Sequence, residues 1–241
     1  MPDPTISVLS TRPLSPLLID VAANEGITID VIPFIRTEEV EDETLRRQVR
    51  ELANRPLVAV FTSTNAVEAV VAWIGTAKEW TIFCTGGTTR HLVDRYFWEA
   101  PAAVTGETAQ ALAEKIISWG GTKELFFFCG DLRREELPRA LREAGIRVDE
   151  LVVYRTTLTP RIVKGSYEGI IFFSPSAVES FFSANRIPAE TPLFAIGSTT
   201  AASIREYCSN PIVISGRPDS AIMIQEVIDH FQIKNRQQKD L

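Results

Sequence analysis

The sequence predicts an α/β protein with two doubly wound parallel sheets. Short apolar segments alternate with stretches of helical periodicity along the 241-residue chain, as in proteins whose strands and helices follow one another. Segments such as Leu125–Phe128 and Ile170–Phe173 lack polar alternation, which is typical of strands buried on both faces. The order of motifs in the first half returns in the second. These observations indicate two related lobes, and a chain of this length also favours two domains over one.

Each strand is predicted from an apolar run that ends at a cluster of Gly, Ser, Thr or Asn and is followed by helical periodicity. In chain order these runs are Ile6–Leu9, Thr28–Ile32, Leu57–Phe61, Thr81–Cys84, Ala102–Val104, Leu125–Cys129, Arg147–Tyr154, Gly169–Phe173, Leu193–Ile196 and Ile212–Ile214. Ten strands divide into two five-stranded sheets.

An internal repeat supports this division. Four segments of the first half resemble four of the second in the same order: 6–37 resembles 126–156, 61–68 resembles 172–179, 84–89 resembles 195–200, and 104–106 resembles 214–216. A repeat of this length indicates two lobes rather than a solenoid. A ligand cleft is expected between them, at the carboxyl ends of the strands.

Composition excludes several classes of protein. The chain has 31 Asp and Glu against 25 Lys and Arg, a net charge of −6, so nucleic acid is not an expected partner. The cysteines Cys84, Cys129 and Cys208 have no metal-ligand spacing, which predicts no metal site and a reducing, cytoplasmic location. No run approaches the roughly 18 apolar residues of a membrane span, so no membrane association is expected. The polar segment 235–241 is expected to be mobile.

The loops after the strands are candidate anion sites, because a helix start presents unpaired N–H groups and a positive dipole end. The candidate residues are Ser63, Thr64 and Asn65; Gly86, followed by Gly87, Thr88 and Thr89; Ser174 and Ser176; Gly197, Ser198, Thr199 and Thr200; Thr11 and Arg12; and Gly130 and Asp131. Ordinary helix capping explains any one of these loops better than a ligand site does. Their joint placement around one cleft makes a shared ligand an equally good explanation. At Gly197, either close ligand approach or a positive φ angle would explain the glycine.

Several alternatives lack their usual signatures. No Gly-x-Gly-x-x-Gly sequence follows the first strand, and no Gly-Lys-Ser/Thr loop occurs, so no cofactor is expected. His91 and His230 are predicted to be solvated or packing residues, since neither lies in a loop with a nucleophile. Cys84 and Cys129 are interpreted as small buried apolar groups.

Six ordered motifs resemble the uroporphyrinogen-III synthase family over nearly the whole chain. They are Thr11-Arg12-Pro13, Phe61-Thr62-Ser63, Gly130-Asp131, Val153-Tyr154-Arg155-Thr156, Phe173-Ser174-Pro175-Ser176 and Ile196-Gly197-Ser198-Thr199-Thr200-Ala201. Thr64 and Asn65 depart from the family, which commonly has Pro and Arg after the serine. A positive charge that could assist carboxylate binding is therefore absent at this point.

The resemblance implies two flavodoxin-like lobes joined by a two-stranded linker at Pro33–Thr37 and Val152–Thr156. The first lobe would hold residues 1–35 and 157–241 and the second 36–156, with the active-site cleft between them. Strand counting alone leaves two contiguous halves equally open.

The resemblance also implies a reaction. The substrate would be hydroxymethylbilane, which is dehydrated and cyclised with inversion of ring D to give uroporphyrinogen III, the precursor of haem, by a monomeric lyase without a cofactor. Tyr154 matches the family's proposed catalytic tyrosine, although packing in a linking strand is its simpler interpretation. Two alternatives remain: a two-lobed binding protein for an anionic small molecule, and a sugar-nucleotide transferase.

Overall fold

The computed structural model describes the backbone of residues 6–100 and 102–239, with side chains up to residue 233. In chain order the elements are β1 (Ile6–Ser10), α1 (Pro16–Asn24), β2 (Ile27–Val31), β3 (Ile35–Glu39), α2 (Glu43–Leu52), β4 (Leu57–Phe61), α3 (Thr64–Ile74), β5 (Trp80–Thr85), α4 (Thr88–Tyr96), β6 (Ala102–Gly106), α5 (Ala109–Trp119), β7 (Glu124–Gly130), α6 (Glu136–Glu143), β8 (Arg147–Leu158), β9 (Gly169–Phe172), α7 (Pro175–Ala184), β10 (Leu193–Ala195), α8 (Ser198–Arg205), β11 (Ile212–Ile214) and α9 (Ser220–Lys239). The end of the polar segment 235–241, expected to be mobile, lies outside the described residues.

All ten predicted strands are present, with ends that differ by a few residues, and the predicted α/β class is confirmed. The division into two five-stranded sheets is wrong, because β3 adds a sixth strand to one sheet of the described chain. Four of the five residues of β3 are exposed, so no buried apolar run marks it in the sequence. Its charged residues Glu38 and Glu39 belong to this strand, whereas Asp42 caps α2 through the N–H groups of Thr44 and Leu45.

Unit 1 consists of Met1–Arg36 and Thr157–Leu241. Its sheet has the order β11-β10-β9-β1-β2, and the pairs are parallel. This is the flavodoxin-like order, in which the chain changes direction between β1 and β9. Helices α7 and α8 pack on one face of the sheet and α1 and α9 on the other.

Unit 2 consists of Thr37–Thr156 and has the sheet order β3-β8-β7-β4-β5-β6. The five strands from β8 to β6 pair in parallel. Helices α2, α3 and α4 cover one face, around Phe61 and Phe128, and α5 and α6 cover the other, around Phe83 and Phe127. The chain passes between the units within β3 and within β8, which are neighbours in this sheet.

The internal repeat maps one sheet onto the other. Strands β1, β9, β10 and β11 of unit 1 match β7, β4, β5 and β6 of unit 2, and both sets stand in the same spatial order. Their order along the chain differs, because unit 1 begins with its β1 motif whereas unit 2 ends with the equivalent β7 motif. The two folding units are therefore not the two halves of the repeat.

No helix within the described residues is both long and apolar enough to cross a membrane. Over the same part of the chain, no group of three or more His, Cys, Asp or Glu side chains is placed to hold a metal ion.

Candidate active site

In unit 2, the loop after β4 places Ser63 at the start of α3. Ser63 has an extended backbone, and its Oγ accepts a hydrogen bond from the Asn65 N–H at 3.2 Å. This contact is an ordinary N-cap, which satisfies one of the orphan donors in the first helical turn. Thr64 and Asn65 follow in that turn and are half-buried.

The hydroxyl of Tyr154, on β8, donates a hydrogen bond to Ser63 Oγ at 3.1 Å. The side chain is half-buried and packs beside the apolar cluster under α3. Burial raises the pKa of Tyr154 above its ordinary value, and hydrogen bonding with Ser63 and Asn65 offsets part of this effect. The phenol is therefore protonated at neutral pH and bonded to an N-cap serine.

Asp131 connects the end of β7 to β8. Its Oδ1 accepts hydrogen bonds from the N–H groups of Thr156, at 2.9 Å, and Leu132, at 3.0 Å. Its own N–H donates to the Tyr154 carbonyl oxygen at 3.2 Å. Asp131 thus holds the backbone on both sides of Arg155. Gly130, directly before it, is buried against the Tyr154 ring.

The loop after β5 contains Gly86 and Gly87. The Gly86 N–H donates to the Gly106 carbonyl at 2.9 Å, and Gly87 adopts a φ of 64° where α4 begins. No side chain caps α4 at this position, so the first-turn N–H groups of Thr88 and Thr89 have no capping oxygen from the N-cap residue.

In unit 1, the equivalent loops have the same two kinds of helix start. Ser174 caps α7 by accepting from the Ala177 N–H at 3.2 Å, and its Oγ lies 3.1 Å from Ser176 Oγ. Gly197 begins α8 without a side-chain cap, as Gly87 does for α4. Each unit therefore pairs a serine-capped helix with a glycine-started helix.

Gly197 does not have a positive φ angle. Its φ of −178° is extended backbone that any residue can adopt, and a Cβ added there would meet no atom within 4 Å. The conformational explanation for this glycine is therefore wrong. Ser198 and Thr199 are exposed beside it, whereas Thr200 is only 3% exposed.

Thr11 and Arg12 follow β1 and have different surroundings. Thr11 is fully buried, and its hydroxyl donates to the Ile171 carbonyl at 2.8 Å, which ties β1 to β9. The Arg12 guanidinium lies 4.0 Å from the Phe173 ring centroid and donates to Ser220 Oγ at 2.5 Å. Burial lowers the pKa of Arg12 despite the nearby carboxylate of Asp219, yet an arginine stays charged at neutral pH.

The structure brings together Ser63, Asn65, Gly130, Asp131 and Tyr154 around one phenol. Gly86 follows β5, the strand next to β4 in the same sheet. In unit 1, the loops that contain Thr11, Ser174 and Gly197 follow the three adjacent strands β1, β9 and β10.

Sequence reasoning did not find the partners of Arg12, nor Glu150, which binds both Arg133 and Arg142. Phe173, whose ring packs against the Arg12 guanidinium, lies in the motif Phe173-Ser174-Pro175-Ser176. No sequence pattern could predict this contact, because the two residues are far apart in the chain.

The cysteines and histidines have the roles expected for them. Cys84 and Cys129 are buried, and burial is the main cause that raises the pKa of each thiol to about 12, so neither is an activated nucleophile. His91 is exposed, and the His230 ring packs edge-on at 5.4 Å from Phe194.

Comparison with known proteins gives matches over most of the chain. The family model for uroporphyrinogen-III synthase HemD matches residues 18–225. A uroporphyrinogen-III synthase of Schizosaccharomyces pombe is 22% identical over 240 residues, which cover 90% of this chain and 93% of that protein.

Two solved structures share the fold. A mutant uroporphyrinogen III synthase of the extremely thermophilic bacterium Thermus thermophilus matches with a TM-score of 0.66 and 19% identity, over 94% of this chain and 99% of that one. A uroporphyrinogen-III synthetase of Helicobacter pylori matches with a TM-score of 0.65 and 16% identity, over 93% of this chain and 99% of that one.

Proposed function

The chain belongs to the uroporphyrinogen-III synthase family, and from this premise we propose that it dehydrates and cyclises hydroxymethylbilane to uroporphyrinogen III, with inversion of ring D. In reaction terms the protein is a cyclising hydro-lyase of haem biosynthesis. The observation that supports this assignment most directly is the protonated phenol of Tyr154, bonded to Ser63 Oγ at the carboxyl ends of the strands.

The first step requires the terminal hydroxymethyl group to lose its hydroxyl. As the C–O bond breaks, negative charge develops on the departing oxygen, and the Tyr154 O–H donates a proton to it. Water leaves, and an azafulvene-type cation remains on the bilane. The Ser63 hydroxyl stays within hydrogen-bonding reach of the phenolate oxygen and supports its charge.

Ring closure then depends on orientation. The cation is attacked by the substituted carbon of the far pyrrole, which gives a spiro intermediate. The bond between the spiro carbon and its original methylene bridge then breaks, and the bridge re-bonds to the other α-carbon of the same pyrrole, across the nitrogen, which inverts that ring. The proton released when the pyrrole regains aromaticity restores the phenol. Unguided closure at the unsubstituted carbon gives the type I isomer, so the enzyme's main contribution is to fold the bilane.

The acetate and propionate arms need donors in a chain whose net charge is −6. We assign these contacts to the first-turn N–H groups of α4 and α8, which have no side-chain cap. Such N–H groups bind carboxylates at the positive end of the helix dipole. The Arg12 guanidinium, fixed by Phe173 and Ser220, adds a charged donor in unit 1. The hydroxyl groups of Ser63, Ser174 and Ser176 are proposed as additional hydrogen-bonding contacts of the substrate.

The buried hydroxyls of Thr11 and Thr200 have a supporting role in this scheme. Thr11 joins β1 to β9, and Thr200 lies inside the first turn of α8, so each positions backbone donors rather than offering its hydroxyl. Asp131 acts on the backbone of β8 in the same way. The protein is proposed to act as a cytoplasmic monomer without a cofactor.

The deciding experiment is the isomer ratio of the product. The purified protein is incubated with freshly prepared hydroxymethylbilane, and the oxidised products are separated into type I and type III isomers. Type III product at a rate proportional to protein concentration supports the proposal. Type I product alone, at the rate of the protein-free reaction, contradicts it. Bilane protected from closure and recovered unchanged would favour the alternative of a non-catalytic binding protein.

A further inference from the structure

A β-bulge between β7 and β8 lies directly beside the candidate acid. Cys129 pairs with Val152, but the next residue of β7, Gly130, pairs with Tyr154, so Val153 is the extra residue. Bulges of this kind bend a strand and redirect its side chains, and they are common beside active sites.

The bulge changes the face on which Tyr154 lies. Val152 packs with the cluster under α5 and α6, and Val153 packs with the cluster under α3. Regular alternation would return Tyr154 to the face of Val152. Instead Tyr154 packs on the same face as Val153, where α3 begins and where Ser63 lies.

Gly130 gives the ring the space that this arrangement needs. A Cβ added to Gly130 would lie 2.4 Å from Tyr154 Cζ and 2.8 Å from its hydroxyl oxygen. These distances are far inside van der Waals contact, so any side chain at this position displaces the phenol. The φ of Gly130 is not in the left-handed region, and the glycine is required for space alone.

We propose that the bulge at Val153, the bare Cα of Gly130 and the brace from Asp131 together form a seat that holds the Tyr154 hydroxyl on Ser63. Gly130 and Asp131 are then positioning residues, which act through Tyr154 and do not bind substrate. This inference rests on the proposed function, in which Tyr154 is the acid. It differs from the sequence-based expectation, which placed Gly130 and Asp131 among the substrate contacts.

A double-mutant cycle tests the seat with the full-length protein. The variants are Gly130→Ala, Tyr154→Phe and their combination, and kcat and KM are measured for type III product. We expect Gly130→Ala to lower kcat to within about threefold of Tyr154→Phe, with KM unchanged. Adding Gly130→Ala to Tyr154→Phe should then have no further effect, because the displaced hydroxyl is already absent.

Gly165→Ala is the matched control. A Cβ at Gly165 also faces a tyrosine ring, but its nearest atom, Tyr167 Cε2, lies at 3.5 Å, an ordinary contact distance. This variant should keep wild-type kcat and KM. A second variant, Asp131→Ala, removes the brace while Gly130 stays intact, and it should lower kcat less than Gly130→Ala does, again without a change in KM.

A spectroscopic signal keeps the test independent of turnover. The chain has four tyrosines, so ring-¹³C-labelled tyrosine gives a small set of resonances, and Tyr154→Phe assigns the one of interest. Gly130→Ala should shift that resonance and lower the pKa of the phenol toward its ordinary value, as the ring loses its burial. Gly165→Ala should leave it in place. The folded state of each variant is checked by thermal unfolding.

Three results would overturn the seat: an unmoved Tyr154 resonance in Gly130→Ala; an equal loss of kcat from Gly130→Ala with and without the Tyr154 hydroxyl; or an effect of Asp131→Ala on KM alone, which would make Asp131 a substrate contact. If Tyr154→Phe turns over at the wild-type rate, the assignment of the acid is wrong. The proposed seat is then tested by the labelled Tyr154 resonance alone, which must shift in Gly130→Ala and stay in place in Gly165→Ala.

Discussion

At the scale of single residues, Tyr154 on β8 and Asp131 directly after β7 have separate roles in the proposed mechanism. In the proposed reaction the phenol donates a proton, whereas the carboxylate of Asp131 binds the backbone N–H of Thr156, close to Tyr154 on the same strand. Both residues lie in motifs that resemble the family, Val153-Tyr154-Arg155-Thr156 and Gly130-Asp131. The motifs alone do not distinguish a residue that reacts from a residue that positions it. The hydrogen bonds of the two side chains support the proposed division of roles.

In the proposed mechanism, the pH dependence of turnover reports the protonation state of Tyr154. A general acid must be protonated, and burial raises the pKa of this phenol above the ordinary value near 10. We expect kcat/KM, which reports the free enzyme, to hold a plateau up to about pH 10 and to fall only above it. Tyr154→Phe should lower the plateau roughly 10- to 100-fold, with the type III preference and KM retained, and should abolish the alkaline fall.

Stopped-flow assays from about pH 7 to about pH 11, corrected for closure without enzyme, give this profile. Tyr207→Phe, at an exposed tyrosine on unit 1, is the control and should reproduce the wild-type curve. An alkaline limb that persists in Tyr154→Phe would assign the titration to another group.

Gly197 permits a direct test of backbone donors. Its extended conformation accepts any residue, and an aspartate at an N-cap position accepts hydrogen bonds from first-turn N–H groups. Gly197→Asp should therefore raise the free energy of unfolding by a few tenths of a kcal/mol, and raise KM several-fold because its carboxylate competes with the substrate arms. Gly197→Ala, without a capping group, should not raise the free energy of unfolding and should leave KM close to the wild-type value. Greater stability with an unchanged KM would show that these N–H groups do not bind the bilane.

At the scale of elements, the Glu150 carboxylate joins α6 to β8. It accepts hydrogen bonds from Arg133 and Arg142, and only 13% of its side chain is exposed. Burial alone would raise the pKa of Glu150, but the two arginines lower it overall. The carboxylate therefore stabilises the folded state above its unfolded pKa, and this contribution is lost as the pH falls through the folded value.

Glu150→Gln should destabilise the protein by about 1–2 kcal/mol at neutral pH, because it removes charge-assisted bonds to two arginines. The difference in Tm from the wild type should shrink below about pH 4, where the wild-type carboxylate also becomes neutral. Glu124→Gln is the control: its pair with Arg147 is exposed and at 3.4 Å, and such pairs contribute little. A loss of stability that is equal in acid and at neutral pH would contradict the ionic role of Glu150.

The elements also show where sequence patterns are informative. Apolar runs located ten strands most clearly at the centres of the sheets, where β4, β7 and β9 are buried by helices on both faces, because burial is what selects such residues. Strand β3 has no such burial, because four of its five residues are exposed. It is held in the sheet by pairing with β8 and not by burial of its own side chains. The bulge at Val153 also leaves no pattern in the sequence, because the alternation of side chains between two faces is predicted from a regular strand register. The face of Tyr154 could not be predicted for that reason.

At the scale of the whole molecule, the repeat and the folding units divide the chain differently. Residues 126–156 repeat residues 6–37, yet they complete unit 2, which begins at Thr37. The spatial order of strands is the same in both units. Strand β1 therefore occupies in the unit 1 sheet the position that β7 occupies in the unit 2 sheet, although β1 comes first and β7 late along the chain. The repeat was readable from the sequence, but the pairing of its parts depends on long-range contacts that no local pattern records.

Unit 2 should fold on its own, because Thr37–Thr156 is continuous and holds both apolar layers of its sheet. We expect a fragment of residues 37–156 to show a cooperative thermal transition and native-like circular dichroism. A control fragment of residues 1–120 contains one full half of the repeat but lacks β7, which lies at the centre of the sheet between β4 and β8. Without β7, the faces under α3 and α5 lose Phe127 and Phe128 from their cores, and the fragment should not unfold cooperatively. Cooperative folding of 1–120 together with an unfolded 37–156 would show that the repeat halves, and not the contact-defined units, are the units of stability.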